Sequence, residues 1–299
     1  MKAGTTGAAL IARRAVLQSV PGALGLVGAA RAQTGAASNR FVLSRQDGLL
    51  TATFMDGTDD ATLLQALPML AARSVQAVSL RGAQVRDLRA LTALKTLKLL
   101  DICGSQVRDA SSLVGLTSLR SLNLQFLSIS DLRPLSAMTS LLILNLSGTE
   151  IRDLEPLSNL VLLEELTIGV TKIRDLSPLS GLDRLISLDL AGTPVSDIMP
   201  LARMTGLRYL SLNGTKVSDL RPLAALGMLE ELDLGGTPVS DIRPLAGLGR
   251  LRTLVLESTR VANIASLSKL GALRSLSLGG SQVSDVSLLA GLPDLVLHR

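Results

Sequence analysis

Read in steps of 22 residues, the chain sets five carboxylates, Glu165, Asp189, Glu231, Asp233 and Glu257, around its single tyrosine, Tyr209. Grouped carboxylates can serve as acid and base in a hydrolase, hold a divalent cation, or steer a cationic partner. The first role needs burial and a companion acid to split the two pKa values, and a shallow strand face is expected to give neither. The second stays open as a loose divalent-cation site, though no Asp-rich calcium loop is visible. Steering of a protein with a basic patch remains, with Tyr209 as the aromatic anchor. Other chemistries lack their residues. One Cys, Cys103, permits no internal disulfide and no Cys-based zinc site. The one His, His298, is next to last, so the body has none for a triad or a His-rich metal centre. No catalytic residue, metal or cofactor is expected.

Charge and aromatic content narrow the partner. The formal charge is +5, from 30 Lys and Arg against 25 Asp and Glu. Lys2, Arg13, Arg14 and Arg31 supply four of those cations within the first 32 residues, which hold no acid, so the remainder stands at 26 against 25. A near-neutral body is not a phosphate-tracking surface. Aromatics are 1% of the chain (Phe41, Phe54, Phe126 and Tyr209), too few for a base-stacking platform, so no nucleic acid is expected.

Residues 1–32 read as a targeting segment. IARRAVLQ leads into the apolar SVPGALGLVGAA and ends at Ala30-Arg31-Ala32, a small-x-small cleavage signal with Gln33 following. The pair Arg13-Arg14 followed by apolar residues resembles the bacterial twin-arginine signal, although Ala15-Val16 and Gln18 depart from its preferred Phe-Leu-Lys. That resemblance implies a folded, exported cargo, periplasmic or secreted. An ordinary secretory leader and a mitochondrial presequence are the alternatives, with a cytoplasmic protein if the segment is no leader. No other run approaches the ~18 apolar residues of a membrane span.

The elements that must position the carboxylates come from internal repetition. From Val75, the residues Leu97, Leu119, Leu141, Leu163, Leu185, Leu207, Leu229, Leu251, Leu273 and Leu295 follow at an unbroken interval of 22. Ten full repeats span 75–294, and positions 1, 4, 6, 11, 14, 17 and 20 are apolar in all of them. The L-x-x-L-x-L start with x-x-T-x-[IV]-x-D-[IL]-x-P-L-x-x-L resembles the leucine-rich repeat in its short, internalin-like bacterial form. It implies an α/β repeat solenoid, a horseshoe or arc with a parallel sheet on the concave side and 3₁₀ turns on the convex side.

Each position has a physical reading. Leu at 4 and 6 alternates with exposed 3, 5 and 7, which makes a short strand with one inward face. Position 13 is Asp in nine repeats and Asn263 in the tenth, placed to accept backbone N–H groups where the chain turns. Pro at 16, as in Pro222 and Pro244, suits the first turn of a short helix, and the few residues left favour 3₁₀ geometry. Position 9 holds Thr in six repeats, where many relatives of the motif place Asn to bond the neighbouring coil. A hydroxyl offers a shorter ladder, and Leu127 breaks it in the third repeat. Arg recurs at position 12 (Arg86, Arg108, Arg152, Arg174) and position 15 (Arg89, Arg133, Arg221, Arg243), beside the Asp column that largely neutralises it.

The ends differ. Residues 33–74 read as linker and N-terminal cap, with a helix over 59–72 opened by Asp59 or Asp60 and an extended stretch such as 48–54 before it. At the other end an incomplete repeat begins at Leu295 and runs to Arg299, which reads either as an edge for self-association or a partner or as a frayed tail. Three function classes follow: an exported, non-enzymatic protein-binding module; a subunit like the intracellular phosphatase-binding leucine-rich-repeat proteins; or the recognition part of an effector enzyme such as the bacterial leucine-rich-repeat ubiquitin ligases. The partner-binding residues expected on the concave face are Glu165, Asp189, Tyr209, Glu231, Asp233 and Glu257.

Overall fold

The computed structural model describes residues 41–46, 48–292 and 294–299, so Arg13, Arg14, Ala30 and Ala32 lie outside the described residues. These fall into two compact units, 41–163 and 164–299.

The first unit opens with an antiparallel hairpin, β1 (Phe41–Gln46) and β2 (Leu49–Phe54), in which the Phe41 and Phe54 rings lie 5.0 Å apart. Helix α1 (Asp60–Ala72) follows. Asp59 is its N-cap, its Oδ1 accepting the Thr62 amide at 2.9 Å. Asp60 instead reaches the next coil, accepting the amides of Arg86 and Asp87 at 2.9 and 3.1 Å. Leu63, Leu67 and Leu70 are buried on the face that closes the front of the repeats. Parallel strands β3 (Ala77–Ser79), β4 (Leu99–Asp101), β5 (Ser121–Asn123) and β6 (Ile143–Asn145) complete the unit. β2 pairs in parallel with β3, so the cap continues the sheet. The extended stretch before the helix is therefore one arm of a hairpin whose other arm, β1, the 22-residue pattern does not reach.

The second unit holds β7 (Glu165–Thr167), β8 (Ser187–Asp189), β9 (Tyr209–Ser211), β10 (Glu231–Asp233), β11 (Thr253–Val255), β12 (Ser275–Ser277) and β13 (Val296–His298), all parallel. From β3 to β12 each strand carries one inward Leu or Val between its two other residues. A 3₁₀ turn follows in every coil, such as Arg221–Leu223, with Pro in its first turn where the sequence supplies one. The seven apolar positions are buried through nine repeats; in the tenth, Val283 and Val286 are half-buried because no coil covers them. Both units are thus the α/β repeat solenoid expected from the pattern.

Position 13 does what its chemistry predicts. In all ten coils its side-chain oxygen accepts the amide two residues on, at 2.8 to 2.9 Å, from Asp87 to Asp285 with Asn263 included. Position 9 departs from expectation. The hydroxyls of Thr149, Thr171, Thr193, Thr215, Thr237 and Thr259 donate to the carbonyl three residues back in their own coil, as Thr215 does to Leu212 at 2.6 Å. The side chain is too short to cross to the neighbour. Coil-to-coil bonding at this corner is made by the backbone instead, for example Lys216 N–H to the Val195 carbonyl at 2.8 Å. Leu127 consequently breaks no ladder: it is buried, its amide bonds Leu124 O at 3.3 Å, and the coil keeps its strand and its turn.

The last strand departs from the 22-residue interval. The 22-residue interval would put His298 in the inward place opposite Leu276. Leu276 faces Leu297 instead, and Ser275 faces Val296, a register one residue short. The slip sets Leu297 opposite Leu276, and in this last strand Leu297 is still 37% exposed.

Candidate functional site

The outward residues of β7 to β12 form two columns fixed by strand register. The first runs Glu165, Ser187, Tyr209, Glu231, Thr253, Ser275, and the second Thr167, Asp189, Ser211, Asp233, Val255, Ser277. Tyr209 therefore stands between Ser187 and Glu231, as the repeat spacing predicts. Glu257 lies two residues beyond β11, in the turn after the strand.

The carboxylates are less exposed than a shallow strand face implies. Asp233 is 1% and Glu165 6% exposed, so neither presents a free carboxylate to a partner, which corrects the expected acidic patch. Side chains from the neighbouring coil bond the acids of the second column. Asn213 Nδ2 donates to both Asp233 oxygens at 3.3 Å, and the Gly235 amide donates to Asp233 Oδ1 at 2.8 Å. Asp189 Oδ1 accepts the Ala191 amide at 2.9 Å and its carboxylate also takes the Ser211 hydroxyl. The position-5 acids are thus turn formers at the strand exit, like Asn123 and Asn145, whose Oδ1 atoms accept the amides of Gln125 and Ser147.

Burial sets their titration. It lifts Asp189 and Asp233 above the usual carboxylate range against the hydrogen bonds that oppose it, with Glu257 and Asp189 adding repulsion at Asp233. Burial, with the neighbouring Glu164 charge, raises Glu165 to about 7. The expectation that a strand face cannot supply burial fails here; the acids whose charges bear on these residues are Glu164 at Glu165 and Glu257 and Asp189 at Asp233. Among the described residues no group of three or more His, Cys, Asp or Glu side chains is placed to hold a metal ion.

Charges that the sequence reading passed over flank Tyr209 one residue before each strand. Glu230 lies 3.6 Å from Arg208 and 3.8 Å from Arg252, and Arg274 lies 3.6 Å from Asp294. The Tyr209 hydroxyl is pushed up by partial burial and by Glu230 and Glu231, with Arg208 and Arg252 opposing. Of the six residues expected on this face, Tyr209, Asp189, Glu231 and Glu257 are half-buried and reach solvent, and Glu165 and Asp233 are sunk below it. The signal for the flanking charges was legible at position 2 of repeats seven to ten, Arg208, Glu230, Arg252 and Arg274.

On the opposite corner, the position-15 arginines close on the Asp two residues before them. Arg89, Arg133, Arg221 and Arg243 each bind that carboxylate through two nitrogens, the shortest contacts being 2.6 to 2.7 Å. Position-12 Arg86 turns to Gln106 instead. Cys103 is buried, and burial raises its thiol pKa, which makes it a structural thiol.

Position 8 has a feature not seen from the sequence. Every coil needs a left-handed backbone there; seven use Gly, with φ from 64° to 70°, but Phe126, Val170 and Ser258 adopt 61°, 54° and 56°. Each of the three leans on the next coil's glycine, so a Cβ on Gly148 would stand 2.5 Å from the Phe126 ring, and one on Gly192 3.5 Å from Val170.

The chain resembles several solved structures. An internalin (inlF) from Listeria monocytogenes is 25% identical, matching 83% of this chain to 86% of that chain with a TM-score of 0.66. Internalin C2 from the same organism is 30% identical over 61% of this chain and 79% of that chain, TM-score 0.56. A leucine-rich-repeat protein of Leptospira interrogans, 17% identical over 75% of this chain and 72% of that chain, shares the fold at TM-score 0.63. The sequence matches no protein-family model and no curated protein.

Proposed function

Because the chain belongs to the leucine-rich-repeat superfamily and is related to the bacterial internalins, we propose that it is an exported, non-catalytic protein-binding module that docks its partner on the strand face of residues 164–299. The observation that carries this reading is the placement of Tyr209, the one Tyr or Trp of the chain, in the middle of that face between Ser187 and Glu231. Aromatic anchors concentrate binding energy, and the half-buried Asp189, Glu231 and Glu257 around it steer a basic patch on the partner. Glu165 and Asp233 act from below, as the rigid floor of the face.

In this reading residues 1–32 are the leader, 33–74 the linker and cap, 75–294 the ten internalin-type repeats of 22 residues, and 295–299 the tail. No helix among the described residues is long and apolar enough to cross a membrane. Replacing Arg13 and Arg14 with Lys should hold precursor in the cytoplasm, and N-terminal sequencing should find Gln33 on the exported species. Met1 on the abundant species rejects export.

For the binding face, the mature chain serves as bait in the envelope fraction. Tyr209→Ala should weaken the recovered partner's binding and leave the melting temperature in place, with an association rate that falls as salt rises. Unchanged affinity moves the contact off this face.

A further inference from the structure

We propose that the face around Phe126, in the unit 41–163, is a second docking surface, made for an extended, uncharged peptide segment of a partner protein that sets an apolar side chain on the Phe126 ring. Phe41 and Phe54 are spent on packing each other in the hairpin. Phe126 is 63% exposed and returns little to the core. It also sits at φ 61°, a conformation that a bulky residue adopts under strain and that seven other coils give to Gly. Strain held at an exposed aromatic marks a surface kept for contact. The ring is fixed as well, because it lies against Gly148 so closely that a Cβ there would come within 2.5 Å. A pre-placed ring loses little freedom on binding.

The surroundings set the chemistry of the ligand. The outward residues of β5 and β6 and the turns after them, Ser121, Asn123, Gln125, Ile143, Asn145 and Ser147, carry no charge. The charges on the side of the neighbouring strand β4, Asp101 and Arg81, pair with each other at 3.1 Å, so a charged ligand group would find its counter-charge already taken. Asn123 and Asn145 face each other in register, and their Oδ1 atoms are occupied by the Gln125 and Ser147 amides at 3.0 Å. Among the described residues neither Nδ2 donates to a protein acceptor, so the face offers donors about 4.8 Å apart and has its amide acceptors already taken. Backbone carbonyls of an extended peptide match donors of that kind. A sugar hydroxyl, which needs an acceptor too, matches them less well.

The test pans a phage-displayed random peptide library on the full chain, then titrates the enriched peptides as synthetic ligands. Uncharged sequences with an aromatic or aliphatic residue are expected. Phe126→Gly should weaken them roughly tenfold or more while the melting temperature stays or rises, because Gly relieves the left-handed strain. Asn145→Asp keeps the acceptor for the Ser147 amide and removes the donor, and should also weaken binding. Tyr209→Ala should leave these peptides bound, which separates this surface from the face proposed above. Enrichment of charged peptides, equal affinity for wild type and Phe126→Gly, or loss with Tyr209→Ala would overturn the proposal. So would a dimer that Phe126→Gly dissolves in sedimentation velocity, or maltoheptaose binding that depends on Phe126.

Discussion

Asp233 and Asp241 belong to one coil, eight residues apart, and make the same local bond: Oδ1 accepts the amide two residues on, from Gly235 at 2.8 Å and from Arg243 at 2.9 Å. Their acidities move in opposite directions. The Arg243 side chain, with its amide, holds Asp241 down at about 2 in open solvent. Burial pushes Asp233 up although Gly235 and Asn213 both donate to it. The turn needs only an oxygen at that place. Whether the oxygen carries charge is decided by what covers it, and only the strand exit is covered.

The largest effect tests the floor on which the inner acids stand. Leu188, inward between Ser187 and Asp189 and 1% exposed, should lose about 2–5 kcal/mol on Leu188→Ala, while Ser187→Ala stays within about ±0.5 in urea melts. Equal losses would show that the two faces have been exchanged.

The sharpest test of the contrast is pH. Glu165 has a folded pKa of about 7 against 4.5 for the free side chain, so its contribution to stability falls as pH rises through that window. Glu165→Gln should flatten the slope and add up to about 3 kcal/mol at pH 8, an upper bound from the pKa difference. Asp241 runs the other way. Its stabilisation is present above about pH 4 and is lost as pH falls toward 2, so Asp241→Asn should cost stability above about pH 4 and converge with wild type near pH 2. Melting curves from pH 2 to pH 9 measure both.

Smaller still are the effects of changing the acceptor itself. Asp233→Ala leaves the Gly235 amide buried without its partner and should cost about 1–3 kcal/mol, whereas Asp233→Asn keeps the oxygen and should match or exceed wild type near neutral pH. A loss on Asp233→Asn as large as that on Asp233→Ala would mean that the charge, and not the oxygen, is needed. Thr215→Val removes the hydroxyl bond to Leu212 and should cost about 0.5–1.5 kcal/mol.

The order of the repeats, the inward Leu of each strand, the turn-forming oxygen at position 13 and the place of Tyr209 between Ser187 and Glu231 were all legible in the sequence, because each depends on spacing along the chain. The hairpin arm β1 was not, since it lies outside the 22-residue pattern and is recruited by pairing with β2. The Thr215 hydroxyl looked able to reach the next coil until side-chain length was measured against the backbone. The register of the last strand was not legible either, since it runs one residue short of the 22-residue interval and sets Leu297, not His298, opposite Leu276. Burial of Glu165 and Asp233, and so the sign of their pKa shifts, was decided only by tertiary structure, through side chains brought together from other coils. Periodicity tells which way a residue points; how much water is left around it depends on neighbours a full repeat or more away in the chain.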